Sequence, residues 1–306
     1  MPYKNFIYLG LTIIVFLLIS YLFQDMKIGK GTDTTVNYEL VKDWPKLPKN
    51  MLLGNPTGLG IDTDQNVLIF HRASRKWPLL GFMPENYIKE KTVLIIDRNS
   101  GNLLQSWGAN TFIMPHGLAV DKSNHVWVTD VGLHQVFKFT HEGKLLLTLG
   151  EAKISGTDKA HFNQPTDITI AKDGSFYVSD GYKNSRIVKF SANGKYLFEW
   201  GQKGTGEREF NIPHAIDLDS AGNVYVADRE NDRIQVFNAT GKFLKQFSNK
   251  TYGRIFSVTI NKSTNKAFAI DDLSFLKIKH RGSDVIKLDV HGNMQTRFGR
   301  SGSYNG

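Results

Sequence analysis

The chain has 306 residues, a formal net charge of +9 and no cysteine. Disulfides, thiolate catalysis and cysteine-ligated metals are therefore excluded, and the fold must hold by packing alone. The lysines and arginines are scattered over strand edges and turns, so a solvated surface is favoured and no clustered basic face for nucleic acid is seen.

Residues Phe6 to Phe23 form an uncharged apolar stretch, long enough as a helix to span a bilayer core. Lys4 precedes it, and Asp25, Lys27 and Lys30 follow. No small-x-small cleavage pattern closes it, so an uncleaved signal anchor, a single transmembrane helix, is expected over residues 1–28. Residues 29–52 read as a polar, Pro-containing tether. Within it Val36-Asn37-Tyr38-Glu39-Leu40-Val41 alternates like a strand. It is the candidate for a closing strand paired with the last unit of a ring.

From residue 53 to 306 the sequence repeats. One unit reads Pro115-His116-Gly117-Leu118-Ala119-Val120, then Val126 to Asp130, then Gln135 to Phe139, then Leu145 to Leu147. The phrase returns from Pro165 and from Pro213. A looser copy runs from Pro56 to Trp107, and another from Arg254 to Phe298. Each unit holds four short apolar runs separated by Gly, Asn and Asp turns, the pattern of a four-stranded propeller blade. An insertion, Arg72 to Lys91, interrupts the first unit, and a second, Asp272 to Ser283, interrupts the fifth. Such insertions are loops on one face of a propeller.

The repeat places distant residues in register. The start of strand one carries Thr57, His116, Thr166 and His214 in blades one to four. The residue just past strand two is Arg72, Val131, Gly181 or Arg229, with Tyr182 one further on. Both positions fall on one face near the axis. His116 and His214 sit in alternate blades, about 120° apart in a six-bladed ring. A third such histidine would complete a trigonal set for a catalytic zinc. A phenol beside a cation and a metal loses its proton more easily, so Tyr182 is a candidate base. Asp130, Asp180, Asp228 and Asp271 recur in every regular blade and are read as structural, bonding turn amides. Trp107, Trp127 and Trp200 are read as core, and the remaining histidines as surface or packing residues.

At these residues the chain resembles a known family. Val67 to Arg72, Pro115 to Leu118, Trp127 to Asp130, His134 to Lys138, Gln164 to Asp167, Val178 to Tyr182, Asn184 to Val188 and Ala227 to Asn231 are similar to phrases of peptidyl-α-hydroxyglycine α-amidating lyase. That enzyme is an NHL-repeat propeller. The resemblance implies cleavage of a peptidyl-α-hydroxyglycine to a peptide amide and glyoxylate. It implies His116 and His214 as zinc ligands, Arg72 and Tyr182 as the catalytic pair, and Arg229 as a supporting cation. It implies a structural calcium held by the main-chain carbonyls of Leu59 and Leu118. With the apolar N-terminus, it implies a membrane-tethered propeller on the extracytoplasmic side, acting on a peptide or another hydroxyglycine-type substrate.

The family's third zinc histidine and an adjacent calcium-binding aspartate open a sixth blade, which is not written in these 306 residues. The expectation is therefore an all-β, six-bladed propeller with five blades visible and a sixth incomplete, holding zinc weakly. Two other readings stay open: a non-catalytic NHL propeller that binds a protein or peptide, and a lactonase-like propeller hydrolase, which the axial histidines disfavour.

Overall fold

Short apolar runs separated by tight turns can only zip into antiparallel hairpins, and the computed structural model contains five such sheets. It describes residues 38, 41–78, 82–248, 253–272 and 284–299. Blade one is β1 (Pro56–Ile61), β2 (Val67–His71), β3 (Val93–Ile96) and β4 (Leu103–Trp107). Blade two is β5 (Pro115–Val120), β6 (Val126–Asp130), β7 (Gln135–Phe139) and β8 (Leu145–Leu149). Blade three is β9 (Pro165–Ile170), β10 (Phe176–Asp180), β11 (Arg186–Phe190) and β12 (Tyr196–Trp200). A short parallel pair, β13 (Gln202–Lys203) and β14 (Glu209–Phe210), leads to blade four. That blade is β15 (Pro213–Leu218), β16 (Val224–Asp228), β17 (Arg233–Phe237) and β18 (Phe243–Ser248). Blade five is β19 (Arg254–Asn261), β20 (Lys266–Asp272), β21 (Asp284–Leu288) and β22 (Met294–Phe298). Strands are hydrogen-bonded in sequence order within every blade.

The core lies between blades. Leu68, Phe70, Val93 and Ile95 of blade one pack with Leu118, Val126 and Val128 of blade two. Ala215, Tyr225 and Val236 of blade four pack likewise with Val258, Ala269 and Ile286 of blade five. The second strands β6, β10 and β16 are buried at every position, being covered on both faces. Outer strands β4 and β12 each end on a tryptophan tucked under the glycine turn of the next blade. A Cβ on Gly143 (φ 88°) would stand 2.7 Å from the Trp107 ring, and one on Gly241 (φ 78°) 2.9 Å from Trp200. Both the positive φ and this contact require glycine.

Among the described residues there is no sixth four-stranded sheet, so the six-blade count rests on the family resemblance alone. The innermost strands show where the ring is open. Leu118, Ile168, Ile216 and Val258 share one register position, face the preceding blade and are 6%, 2%, 2% and 3% exposed. Leu59, at the same position in blade one, is 65% exposed.

The outer half of blade one's free face is covered by the tether. Trp44, Leu47, Met51 and Leu53 pack on Ile69, Leu94 and Ile96. Trp44 stands against Gly101 and its indole donates to Arg98 O at 3.2 Å. Trp107 does the same one blade on, donating to His141 O at 3.0 Å. Trp44 thus fills the place of an outer-strand tryptophan from a preceding blade. Of the expected closing strand only Tyr38 and Val41 are among the described residues. The Tyr38 ring stacks on Phe298 of β22, with centroids 3.9 Å apart. Trp44→Ala is expected to destabilise the chain by about 2 kcal/mol, less than a fully buried tryptophan because the indole is half-exposed. A urea midpoint equal to that of the parent would show that this contact adds nothing.

The expected signal anchor over residues 1–28, and most of the Asp272 to Ser283 insertion, lie outside the described residues. Among the described residues no helix is long and apolar enough to cross a membrane.

Candidate active site

The start of each inner strand is a place where a side chain can reach the neighbouring blade. His116 Nδ1 lies 2.6 Å from Thr166 O of blade three, and His214 Nδ1 2.7 Å from Phe256 O of blade five. Thr166 Oγ1 donates to Pro213 O of blade four at 2.7 Å. A carbonyl oxygen can only accept, so both imidazoles carry their proton on Nδ1 and present a bare Nε2 lone pair to the axis. The ring centroids are 4.8 Å apart. Burial is the main force holding both imidazoles neutral. It pushes His214 down to about 3, helped by the Arg229 cation, and His116 well below its ordinary value, helped by His214 and Arg72.

Tyr182 joins the two. Its hydroxyl is 3.0 Å from His116 Nε2 and 2.9 Å from His214 Nε2. A phenol has one proton to donate, so one Nε2 lone pair is always left over. Such a surplus of lone pairs at one point fits a cation there. The donor set is one that suits zinc, since bare imidazole Nε2 is a common ligand of that ion. Among the described residues no group of three His, Cys, Asp or Glu side chains that could hold a metal ion is present.

The arginines arrive from the turns after β2 and β16. Arg229 opens a 3-10 turn, Arg229–Asn231, and its guanidinium lies 5.4 Å from the Tyr182 ring and 5.0 Å from the Phe256 ring. Glu230 Oε1 accepts from Arg229 Nε at 3.0 Å. Arg72 Nε donates to Pro115 O at 3.1 Å, and its guanidinium stands 4.9 Å from the Trp77 ring. Trp77 in turn lies 4.9 Å from the Tyr182 ring. Both cations favour the phenolate, yet burial outweighs them and raises Tyr182 above the ordinary tyrosine value. The expected easing of its deprotonation by neighbouring cations is not met by the protein groups alone.

The five residues singled out in the sequence, Arg72, His116, Tyr182, His214 and Arg229, are thus brought together. Leu59 and Leu118 occupy equivalent places on adjacent inner strands, where a Cβ on Gly58 would stand 2.6 Å from Leu118 N. The recurring aspartates are structural. Asp130 accepts from Ile113 N, Met114 N and Leu133 N, and Asp180 and Asp228 bind Arg186 and Arg233. His71 holds that register in blade one, where its Nδ1 accepts from Ala73 N at 3.1 Å, and burial lowers it to about 4.

Three site residues escape the sequence reading. Phe256 holds the histidine register in blade five, but Ile255 replaces the proline that marks the phrase elsewhere. Glu230 is visible only as the neighbour of Arg229. Trp77 lies in an insertion that has no repeat counterpart, so no register signal could have found it.

Comparison with known proteins agrees with this layout. The NHL repeat family matches residues 112–139, 162–190 and 210–237, the cores of blades two, three and four. Peptidyl-glycine alpha-amidating monooxygenase B of Xenopus laevis is 42% identical over 242 residues, 73% of this chain. The chain spans only 27% of that protein's length. Peptidyl-alpha-hydroxyglycine alpha-amidating lyase 2 of Drosophila melanogaster is 34% identical over 275 residues, covering 79% of this chain and 66% of that protein. A streptogramin B lyase structure is 16% identical with a TM-score of 0.55, over 81% of this chain and 70% of that one, and shows the fold alone. Repeats, blade order and these relatives converge: the chain belongs to the peptidyl-α-hydroxyglycine α-amidating lyase family of NHL-repeat propellers.

Proposed function

We propose that this chain is a carbon–nitrogen lyase that cleaves a peptidyl-α-hydroxyglycine to a peptide amide and glyoxylate. One observation carries the reading: two neutral imidazoles from alternate blades aim bare Nε2 atoms at a single phenol oxygen. The substrate is a carbinolamide. Once its hydroxyl proton leaves, the oxygen electron pair forms the new C=O bond and the C–N bond breaks. The departing nitrogen takes a proton and becomes the amide. The Tyr182 oxygen is the group to accept the first proton and to return one to nitrogen, a role it would fill as the phenolate, whose formation a cation held by His116 and His214 would favour against the burial that raises its pKa. Arg72 and Arg229 both act electrostatically on that phenol and would offset negative charge as it develops. His116 and His214 would hold zinc, which when bound supplies Lewis acidity to oxygen at this point.

The same reading includes the finer points that the family implies. Main-chain carbonyls of Leu59 and Leu118 would bind a structural calcium. A sixth blade would cover the open side of blade one, and the exposure of Leu59 supports it. The N-terminal apolar stretch would tether the propeller to a membrane with its mouth on the extracytoplasmic side.

The test is glyoxylate release from a synthetic peptidyl-α-hydroxyglycine, with zinc measured alongside. Chelation is expected to abolish release above the spontaneous rate, and zinc to restore it. The two imidazoles that converge among the described residues are one fewer than a catalytic zinc usually takes, so release is expected to rise with zinc in excess. Full release after exhaustive chelation would overturn the zinc part of the proposal. No release at any zinc concentration would overturn the lyase activity of this chain.

A further inference from the structure

An unbroken run of cations and rings crosses the mouth of the propeller. Arg72 stands 4.9 Å from Trp77, Trp77 4.9 Å from Tyr182, and Tyr182 5.4 Å from Arg229. Arg229 is 5.0 Å and Arg254 5.4 Å from Phe256. The two ends differ. At one, Arg229 and Arg254 flank Phe256 and both pair with Glu230, at 3.0 and 3.6 Å, so that end is already charge-balanced. At the other, the Trp77 indole is packed by Tyr182 and Arg72 yet remains 37% exposed. A large ring held rigidly by its neighbours, with open apolar surface, is what an aromatic anchor site looks like. Beside it the insertion presents Phe82 and Tyr87, 79% and 41% exposed, around an open cavity of about 570 Å³ that Lys76, Pro78 and Pro84 also line.

Resting on the lyase reading, we infer that Trp77 is the plate for the residue preceding the reacting hydroxyglycine, and that the chain selects a bulky apolar or aromatic side chain there. The reacting hydroxyl must come within about 2.6–3.2 Å of the Tyr182 oxygen. One extended residue spans roughly 3.3–3.6 Å. The preceding side chain therefore lands about one ring beyond Tyr182, the distance at which Trp77 stands. The carboxylate leaves the same carbon in another direction, away from Trp77. Earlier residues of the peptide continue over the insertion.

The test compares two uncleavable peptides, ending in Phe-Gly and in Gly-Gly, by calorimetric binding to the zinc-supplemented chain. The same pair as α-hydroxyglycine substrates is followed by glyoxylate release. The parent is expected to prefer the Phe form by about 10-fold, expressed in Kd and KM. Trp77→Leu should bring that ratio close to one, and Trp77→Phe should keep most of it. A residue that merely props Arg72 and Tyr182 would weaken both peptides equally, so an unchanged ratio in Trp77→Leu overturns the inference. Equal binding of the two peptides by the parent, or binding of neither, overturns it as well. A preserved binding preference without glyoxylate release would remove the lyase reading and leave Trp77 as a peptide-binding plate.

Discussion

Tyr182→Phe is expected to lower kcat for glyoxylate release by roughly 100- to 10,000-fold, the usual contribution of a general acid–base group. The substitution removes one atom, and that atom is the oxygen lying 3.0 and 2.9 Å from the two Nε2 lone pairs. The ring is kept, and with it the contacts to Trp77 and Arg229. Both imidazoles keep their anchors to Thr166 O and Phe256 O. Stability should therefore change by no more than about 1 kcal/mol, the net value of a hydrogen bond. Paired kinetics and denaturation curves separate the two effects. Turnover within about threefold of the parent would remove the phenol from the proton-transfer role.

Much of this site was legible because a propeller turns sequence register into spatial position. Pro115-His116 and Pro213-His214 open inner strands, so two histidines about a hundred residues apart were expected on one face. The strands themselves were readable for the same reason: Val126 to Asp130, Phe176 to Asp180 and Val224 to Asp228 each follow a turn of fixed form and run as strands at those bounds. Register fails where a residue has no counterpart. Trp77 belongs to an insertion, and Trp44 precedes the first repeat, so the outer-strand place it fills was not foreseen. Phe256 follows the repeat but lost its proline marker to Ile255. The sixth blade came from resemblance and not from periodicity, and the described residues form five. The acidity of Tyr182 is a different kind of failure. Its cations were visible in the sequence, but whether they outweigh burial depends on how completely Trp77, His116 and His214 enclose the ring.

The aspartates that end the second strands explain how the site residues on turns stay in place. The turn after each second strand must present its side chains at the mouth while its own amides are buried. A carboxylate can accept several of them at once. In blade four, Asp228 accepts from Asn211 N, Asn231 Nδ2 and Arg233 Nε at 2.7–2.8 Å. It is the residue before Arg229, so it fixes the origin of the 3-10 turn. In blade three, Asp180 binds Asn163 N, Asn184 Nδ2 and Arg186 Nε, two residues before Tyr182. The same device thus seats Tyr182 in one blade and Arg229 in the next.

Removing one of these carboxylates should be the most damaging structural change. Asp228→Ala is expected to destabilise the chain by about 3–5 kcal/mol, because it strands the buried Arg233 guanidinium without its counter-charge. Arg233 still donates to the carbonyls of Thr205, Gly206 and Glu209, so the cation is held in the protein rather than released to water. Burial already raises the Asp228 carboxyl above its ordinary range, and its bonds to Asn231, Asn211 and Arg233 oppose that rise. Asp228→Asn should cost less, since the amide oxygen still accepts while the charge is lost. The check is the denaturant midpoint of both variants beside Glu230→Gln. Glu230 is half-exposed and bound to Arg229 and Arg254, so its ion pairs contribute only about 0–1 kcal/mol. A loss below about 1 kcal/mol in Asp228→Ala would mean that the arginine is satisfied by carbonyls alone. The aspartate would then serve the turn amides, and Arg229 placement, rather than the charge of Arg233, would account for its recurrence.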